Sequence, residues 1–171
     1  MDFGGIVCLP MKTLTLVRHA KSSRDDPGVP DRDRPLNDRG RNDAPAMGRR
    51  LAGRGAKPEL VVASPALRAL TTAELIAEGL GLARGEIVVD ERLYASSASR
   101  LLEVVRGLDA RLGHVMLVGH NPEFTELAHR LSKSIEDMPT CAVAEFRFDA
   151  SSWSEVGDVA PEKVTFDTPK D

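Results

Sequence analysis

Hydrophobic and polar positions along the chain alternate between short β-branched runs and longer stretches with helical spacing. Residues 13–17 (TLTLV) form a β-branched, apolar run that ends abruptly in charge, which predicts a buried strand feeding a loop. Arg18 and His19 then stand at its carboxyl end. Residues 21–34 are polar and carry Pro27, Gly28 and Pro30, a loop signal. Asn37 is placed to cap a helix running to about Gly53, within which Pro45 predicts a kink or a late start. The strand pattern returns at Leu60–Ala63, followed by Ser64 as N-cap and Pro65 in the first position of a helix to about Gly79. Ile87–Val89 predicts a third strand, 99–108 a helix and 115–118 a fourth strand. Gly119-His120-Asn121-Pro122 turns into a helix ending near Leu131, with Asn121 capping it and Pro122 starting it. Residues 142–148 alternate as another strand, and 164–166 read as an edge strand in an irregular tail.

Strands alternating with helices imply βαβ crossovers. The expected fold class is α/β, a mainly parallel central sheet with helices on both faces in a three-layer αβα arrangement. Such sheets bind ligands beyond the carboxyl ends of their strands. Three strand ends here deliver Arg18-His19, residues 64–68 and His120-Asn121.

The 171 residues, 42% hydrophobic and 29% charged, fit one globular domain over 12–171, with 1–11 as a loose N-terminal extension. No apolar run approaches the roughly 18 residues of a spanning helix, and 3–11 lacks the basic and small-residue flanks of a signal peptide. No membrane association is expected. Cys8 and Cys141 form neither a CxxC pair nor a Cys/His cluster, which predicts a reduced, cytoplasmic setting. A net charge of -3 argues against a nucleic-acid partner. The charge is uneven, however: residues 12–54 carry 11 basic and 6 acidic side chains, whereas 131–171 carry 4 and 9. The first third is therefore suited to meet something anionic. His114, His120 and His129 lack the spacing of a zinc site, and no metal or other cofactor is expected. His114 and His129 read as structural or exposed, and Trp153 as a packing residue.

Imidazoles and guanidiniums gathered at one rim repel one another unless an anion sits among them. A phosphoryl group relieves that repulsion, since arginine forks match its oxygens and helix N-termini add N–H donors. Surrounding cations would also keep His19 neutral near pH 7, able to attack phosphorus in line.

Three segments resemble the motifs of the histidine phosphatase superfamily: Leu16-Val17-Arg18-His19-Ala20, Ser64-Pro65-Ala66-Leu67-Arg68-Ala69 with Thr72, and Val118-Gly119-His120-Asn121-Pro122. Their order and spacing agree as well. Arg34-Pro35-Leu36-Asn37-Asp38-Arg39-Gly40 is similar, more narrowly, to the SixA-type phosphohistidine phosphatases. The resemblance implies a phosphoglycerate mutase-like fold and a metal-independent phosphatase in which His19 is transiently phosphorylated. It makes Arg18 and Arg68 phosphoryl clamps and His120 the second histidine, donating to a phosphoryl oxygen. Arg34 is a further clamp, brought in by a loop, with Asn121 and Ser22 as additional substrate-binding candidates. Relatives acting on phosphate esters place a glutamate acid shortly after the third strand, where this chain has Ala95. Glu91 and Glu123 are the candidates to replace it. A site without such an acid suits a P–N bond, because protonated phosphohistidine releases a neutral imidazole. Arg24 also departs from relatives that carry an aromatic residue there. The implied partner is a phosphorylated protein, in keeping with a role in signal transduction, or a small phosphorylated substrate. A monomer is favoured. A general phosphomonoesterase and a non-catalytic phospho-ligand-binding module are the competing readings.

Overall fold

The computed structural model describes residues 11–83 and 86–170. The expected loose extension lies outside them except for Met11, which is the first residue of a strand. The described residues form β1 (Met11–Arg18), α1 (Asp38–Gly53), β2 (Leu60–Ala63), α2 (Leu67–Gly79), β3 (Ile87–Val89), α3 (Ala98–Arg106), β4 (His114–Gly119), α4 (Glu123–Ser132), β5 (Val143–Asp149) and β6 (Lys163–Asp167). The strand order is β3-β2-β4-β1-β5-β6. The first four strands in that order are parallel, and β5 and β6 add an antiparallel edge. The mainly parallel α/β expectation holds.

Because side chains alternate across a strand, each face of the sheet collects its own core. Val17, Val61, Met116 and Val118 pack under α1 and α2, against Met47, Leu51 and Ile76. On the opposite face Leu14, Leu16, Leu117 and Phe146 meet Leu101, Val105, Phe124 and Leu127 of α3 and α4. Trp153 joins this second core, fully buried, and its indole N–H donates to the Leu112 carbonyl at 2.9 Å. No helix among the described residues is long and apolar enough to cross a membrane.

Three local expectations are corrected. Pro45 does not delay α1, which begins at Asp38 with Asn37 Oδ1 accepting the Gly40 N–H at 2.9 Å. The helix carries the proline because its buried face, through Ala44, Met47 and Gly48, is held against α2. A Cβ on Gly48 would stand 2.8 Å from the Ile76 carbonyl oxygen, so the two helices can meet this closely only at glycine. Ser64 is not the N-cap of α2, which starts at Leu67 with Ala66 before it. Its hydroxyl instead accepts from Ala66 N at 3.2 Å and meets a histidine. The N-cap of α4 is Pro122, not Asn121, and its first helical residue is Glu123; Asn121, one residue further out, still serves the first turn through Oδ1, which accepts from the N–H and hydroxyl of Thr125.

Candidate active site

Register brings the motif residues level. Arg18 stands opposite Gly119, and Ala63 opposite Val118. One residue further on, the His19 N–H donates to the Gly119 carbonyl at 2.9 Å and the Ser64 N–H to that of Val118 at 3.0 Å. Gly119 is required at this junction, because a Cβ there would lie 2.5 Å from the buried Phe124 ring. The Cys141 N–H donates to the carbonyls of both Arg18 and His19, fixing the backbone where β1 ends. The three adjacent strand ends open into a cleft of about 570 Å³ whose lining includes Arg18, His19, Arg34, Arg68, His120 and Glu123.

The two imidazoles face each other, ring centroids 5.2 Å apart. His19 Nδ1 lies 2.7 Å from the Ala20 carbonyl, which can only accept. Nδ1 therefore carries the proton and Nε2 keeps its lone pair. Burial is the main cause pulling His19 from 6.5 to about 3, reinforced by His120, Arg68 and Arg18 and opposed by the Ala20 hydrogen bond. Desolvation thus outweighs the neighbouring cations that the sequence suggested as the cause. His120 is lowered to about 4, again by burial first and then by Arg68. Both rings are neutral at pH 7.

Arg18 uses one terminal nitrogen on the Met138 carbonyl, at 3.0 Å. Arg68 spends both on Asp31, 2.6 Å from its carbonyl and 3.1 Å from its carboxylate. Among the described residues the buried side-chain polar atoms without a hydrogen-bond partner are Arg18 Nε, Arg68 Nε, His120 Nδ1 and Ser96 Oγ. All four belong to residues lining this cleft. Native proteins rarely orphan buried polar groups, so their clustering marks a place built for a ligand rich in acceptors.

A model of the histidine phosphatase superfamily (branch 1) matches residues 14–98, which contain the first two motifs. Those residues carry the pattern of this superfamily. An uncharacterized protein of Mycobacterium tuberculosis is 29% identical over 165 residues, covering 90% of this chain and 100% of that one. Among solved structures, the SixA protein of Nakamurella multipartitia superposes with a TM-score of 0.79 at 22% identity, over 93% of this chain and 96% of the other. That of Agrobacterium tumefaciens gives 0.72 at 27% identity, over 79% and 90%.

The loop before α1 is pinned at its base. Ser22 bridges to Leu36, the Ser23 N–H donates to Pro35 O at 2.8 Å, and that of Asn37 to Lys21 O at 3.0 Å. This closure sets Arg34 into the cleft lining. Ser22 is not part of that lining; its hydroxyl accepts from Arg34 and so holds the guanidinium. Asn121 does line the cleft, but its amide donates to Met138 O at 2.9 Å and its carbonyl serves Thr125, so both ends of the side chain are engaged in structure.

The two acid candidates separate. Glu91 is outside the cleft lining, 71% exposed and paired with Arg32 at 2.9 Å. Glu123 is 5% exposed and lines the cleft, with Oε2 accepting from Ser96 N at 3.3 Å. Ala95 lies beside it in the left-handed region, φ 50°, a conformation that turns the chain between Tyr94 and Ser96.

Sequence reasoning missed Asp31, Tyr94 and Ser96. The Asp31 carboxylate accepts from the Tyr94 hydroxyl at 2.7 Å and from Arg68 and Arg34. The Tyr94 bond above all, then the two arginines, hold it down to about 2. An acidic residue three places before Arg34 in a strongly basic stretch was the available signal. Tyr94 and Ser96 offered none, since neither lies in a motif. No cluster of three or more His, Cys, Asp or Glu suited to a metal ion occurs among the described residues.

Proposed function

We propose that this chain removes phosphate from phosphohistidine in a protein, through a covalent intermediate on His19. The observation that carries the reading is the neutral His19 ring, its Nδ1 proton committed to Ala20 and its Nε2 lone pair free beside two orphaned guanidinium nitrogens. In the first step Nε2 attacks phosphorus as the bond to the substrate's imidazole nitrogen breaks; that imidazole, protonated, leaves neutral. Arg18, Arg68 and Arg34 offset the phosphoryl charge and His120 donates to one of its oxygens. Water then attacks phosphorus, the P–Nε2 bond breaks, inorganic phosphate departs and His19 regains its lone pair. The SixA name of two structural neighbours supports the P–N substrate class.

One observation favours a second reading as a phosphomonoesterase. The buried Glu123 carboxyl in the cleft is placed to protonate an alkoxide or aryloxide leaving group, which an imidazole does not need. Rapid-quench labelling with phosphohistidine substrate should trap acid-labile phosphate on His19, and kcat/KM should exceed that for an aryl phosphate, unchanged by EDTA. Full turnover in His19→Ala, or loss of activity with the chelator, overturns the mechanism. A higher kcat/KM for the ester selects the second reading, and retention of phosphopeptide without turnover selects a binding module.

A further inference from the structure

The hydroxyl of Ser64 offers one proton and two lone pairs. The Ser64 side chain is fully buried at the end of β2. One lone pair takes the Ala66 N–H at 3.2 Å, and His120 Nε2 lies 2.8 Å away. Two proton arrangements are compatible with that contact. If the imidazole donates from Nε2, the Ser64 proton has no acceptor and Nδ1 is left as a bare lone pair. Two buried groups are then unmatched. If the hydroxyl donates to Nε2, every capacity of Ser64 but one lone pair is used and the ring proton moves to Nδ1. A single group is then unmatched, the Nδ1–H.

That remaining group is the buried, partnerless ring nitrogen of His120, on a side chain that lines the cleft. No donor of the protein reaches it, although Arg18 and Arg68 each hold an unpartnered Nε of their own. A bare Nδ1 would repel an incoming oxyanion, whereas an Nδ1–H offers it a hydrogen bond.

The geometry points to Ser64 as a positioning residue that selects the Nδ1–H tautomer of His120. The consequence follows from charge. A protonated imidazole would present N–H groups from both nitrogens with no selection needed, but His120 is neutral across the physiological range. A neutral histidine in water prefers its proton on Nε2, the wrong nitrogen for this role. Ser64 reverses the preference by supplying a donor at Nε2, and its own orientation is fixed by the Ala66 N–H. Residue 64 therefore acts on substrate only through His120.

The inference rests on the proposed phosphatase reading for its kinetic effect, and its spectroscopic test is independent of any substrate. Nitrogen-15 NMR of the ligand-free protein at pH 7 should show His120 with a protonated Nδ1 and an unprotonated Nε2. In Ser64→Ala the two signals should exchange character, with kcat falling about 10²-fold, as for loss of one oxyanion donor. KM should change little. Ser64→Thr, which keeps the hydroxyl, should restore both the tautomer and most of kcat. An Nε2–H tautomer in the wild type overturns the inference by itself, even if Ser64→Ala fails to fold. So does an unchanged Nδ1–H signal in Ser64→Ala. Phosphatase activity with an Nε2–H tautomer would leave the proposed function standing and remove Ser64 from it. The Nδ1–H tautomer without phosphatase activity would do the reverse.

Discussion

His19 and His120 meet across the cleft at 5.2 Å between ring centroids, their planes inclined by 56°, although one follows β1 and the other β4. Pairing of those two strands, with Arg18 opposite Gly119, is what brings them together. Two neutral rings can share this space, whereas two imidazolium ions could not without a counter-charge.

Stability should therefore fall as the medium is acidified. The unfolded chain takes up a proton on each histidine near 6.5, while the folded chain does so only at about 4 for His120 and about 3 for His19. Between those limits each ring contributes a slope of up to ~1.4 kcal/mol per pH unit, with stability greater at the higher pH. The urea midpoint measured from pH 7 to 4 should drop, and His19→Asn should remove about one proton's share of the slope. An unaltered slope in that variant would show that His19 is not buried neutral.

Arg68→Ala should reduce kcat/KM by about 10²–10³, the usual loss for one preorganised oxyanion donor. Arg68→Lys should not recover it. A lysine supplies a point charge but cannot engage Asp31 through two nitrogens while presenting a third to substrate. Recovery above half of wild-type kcat/KM in the lysine variant would reduce the role of Arg68 to bulk charge.

Glu123 and Glu91 should behave differently. Glu123→Gln should lower kcat on an aryl or alkyl phosphate by about 10²-fold, the scale of one general acid, and spare phosphohistidine. Glu91→Gln should leave both within about twofold, since its surface pair with Arg32 is worth ~1 kcal/mol at most. An equal loss on P–N and P–O substrates in Glu123→Gln would exclude a leaving-group acid.

Asp31 competes with any anion for Arg68. Its carboxylate occupies one terminal nitrogen of that guanidinium and its carbonyl the other. Asp31→Asn should tighten inhibition by inorganic phosphate or tungstate several-fold, in line with removing about 1 kcal/mol of like-charge repulsion at a solvent-reached site. Weaker inhibition would mean that the carboxylate serves the anion site by holding Arg68 in place.

Gly119→Ala should destabilise the fold by about 1–3 kcal/mol, the usual cost of forcing a methyl group into a packed core. The added Cβ would stand 2.5 Å from the Phe124 ring, which is fully buried in the core under α4. A denaturant midpoint equal to wild type would show that α4 can shift.

Local sequence was enough to place the strands and most helix ends, because short apolar runs and the cap at Asn37 are short-range signals. Pro45 and Ser64 misled for a common reason. Packing between α1 and α2 supports a proline inside a helix, and a serine that could cap α2 is engaged by a histidine from another strand. The site followed the same division. Arg18, His19, Arg68 and His120 stand in recognisable motifs, whereas Asp31, Tyr94 and Ser96 enter the cleft from short connections outside them.

The sequence by itself determined the order of strands and helices, the burial of β1 and the residue types delivered to three strand ends, since these depend on neighbours a few positions apart. Tertiary structure alone decided that Glu123 and not Glu91 reaches the cleft, that Asp31 occupies the arginines, and that burial more than charge keeps the histidines neutral. Those outcomes depend on distance and solvent exclusion between residues remote in the chain, which no local pattern encodes.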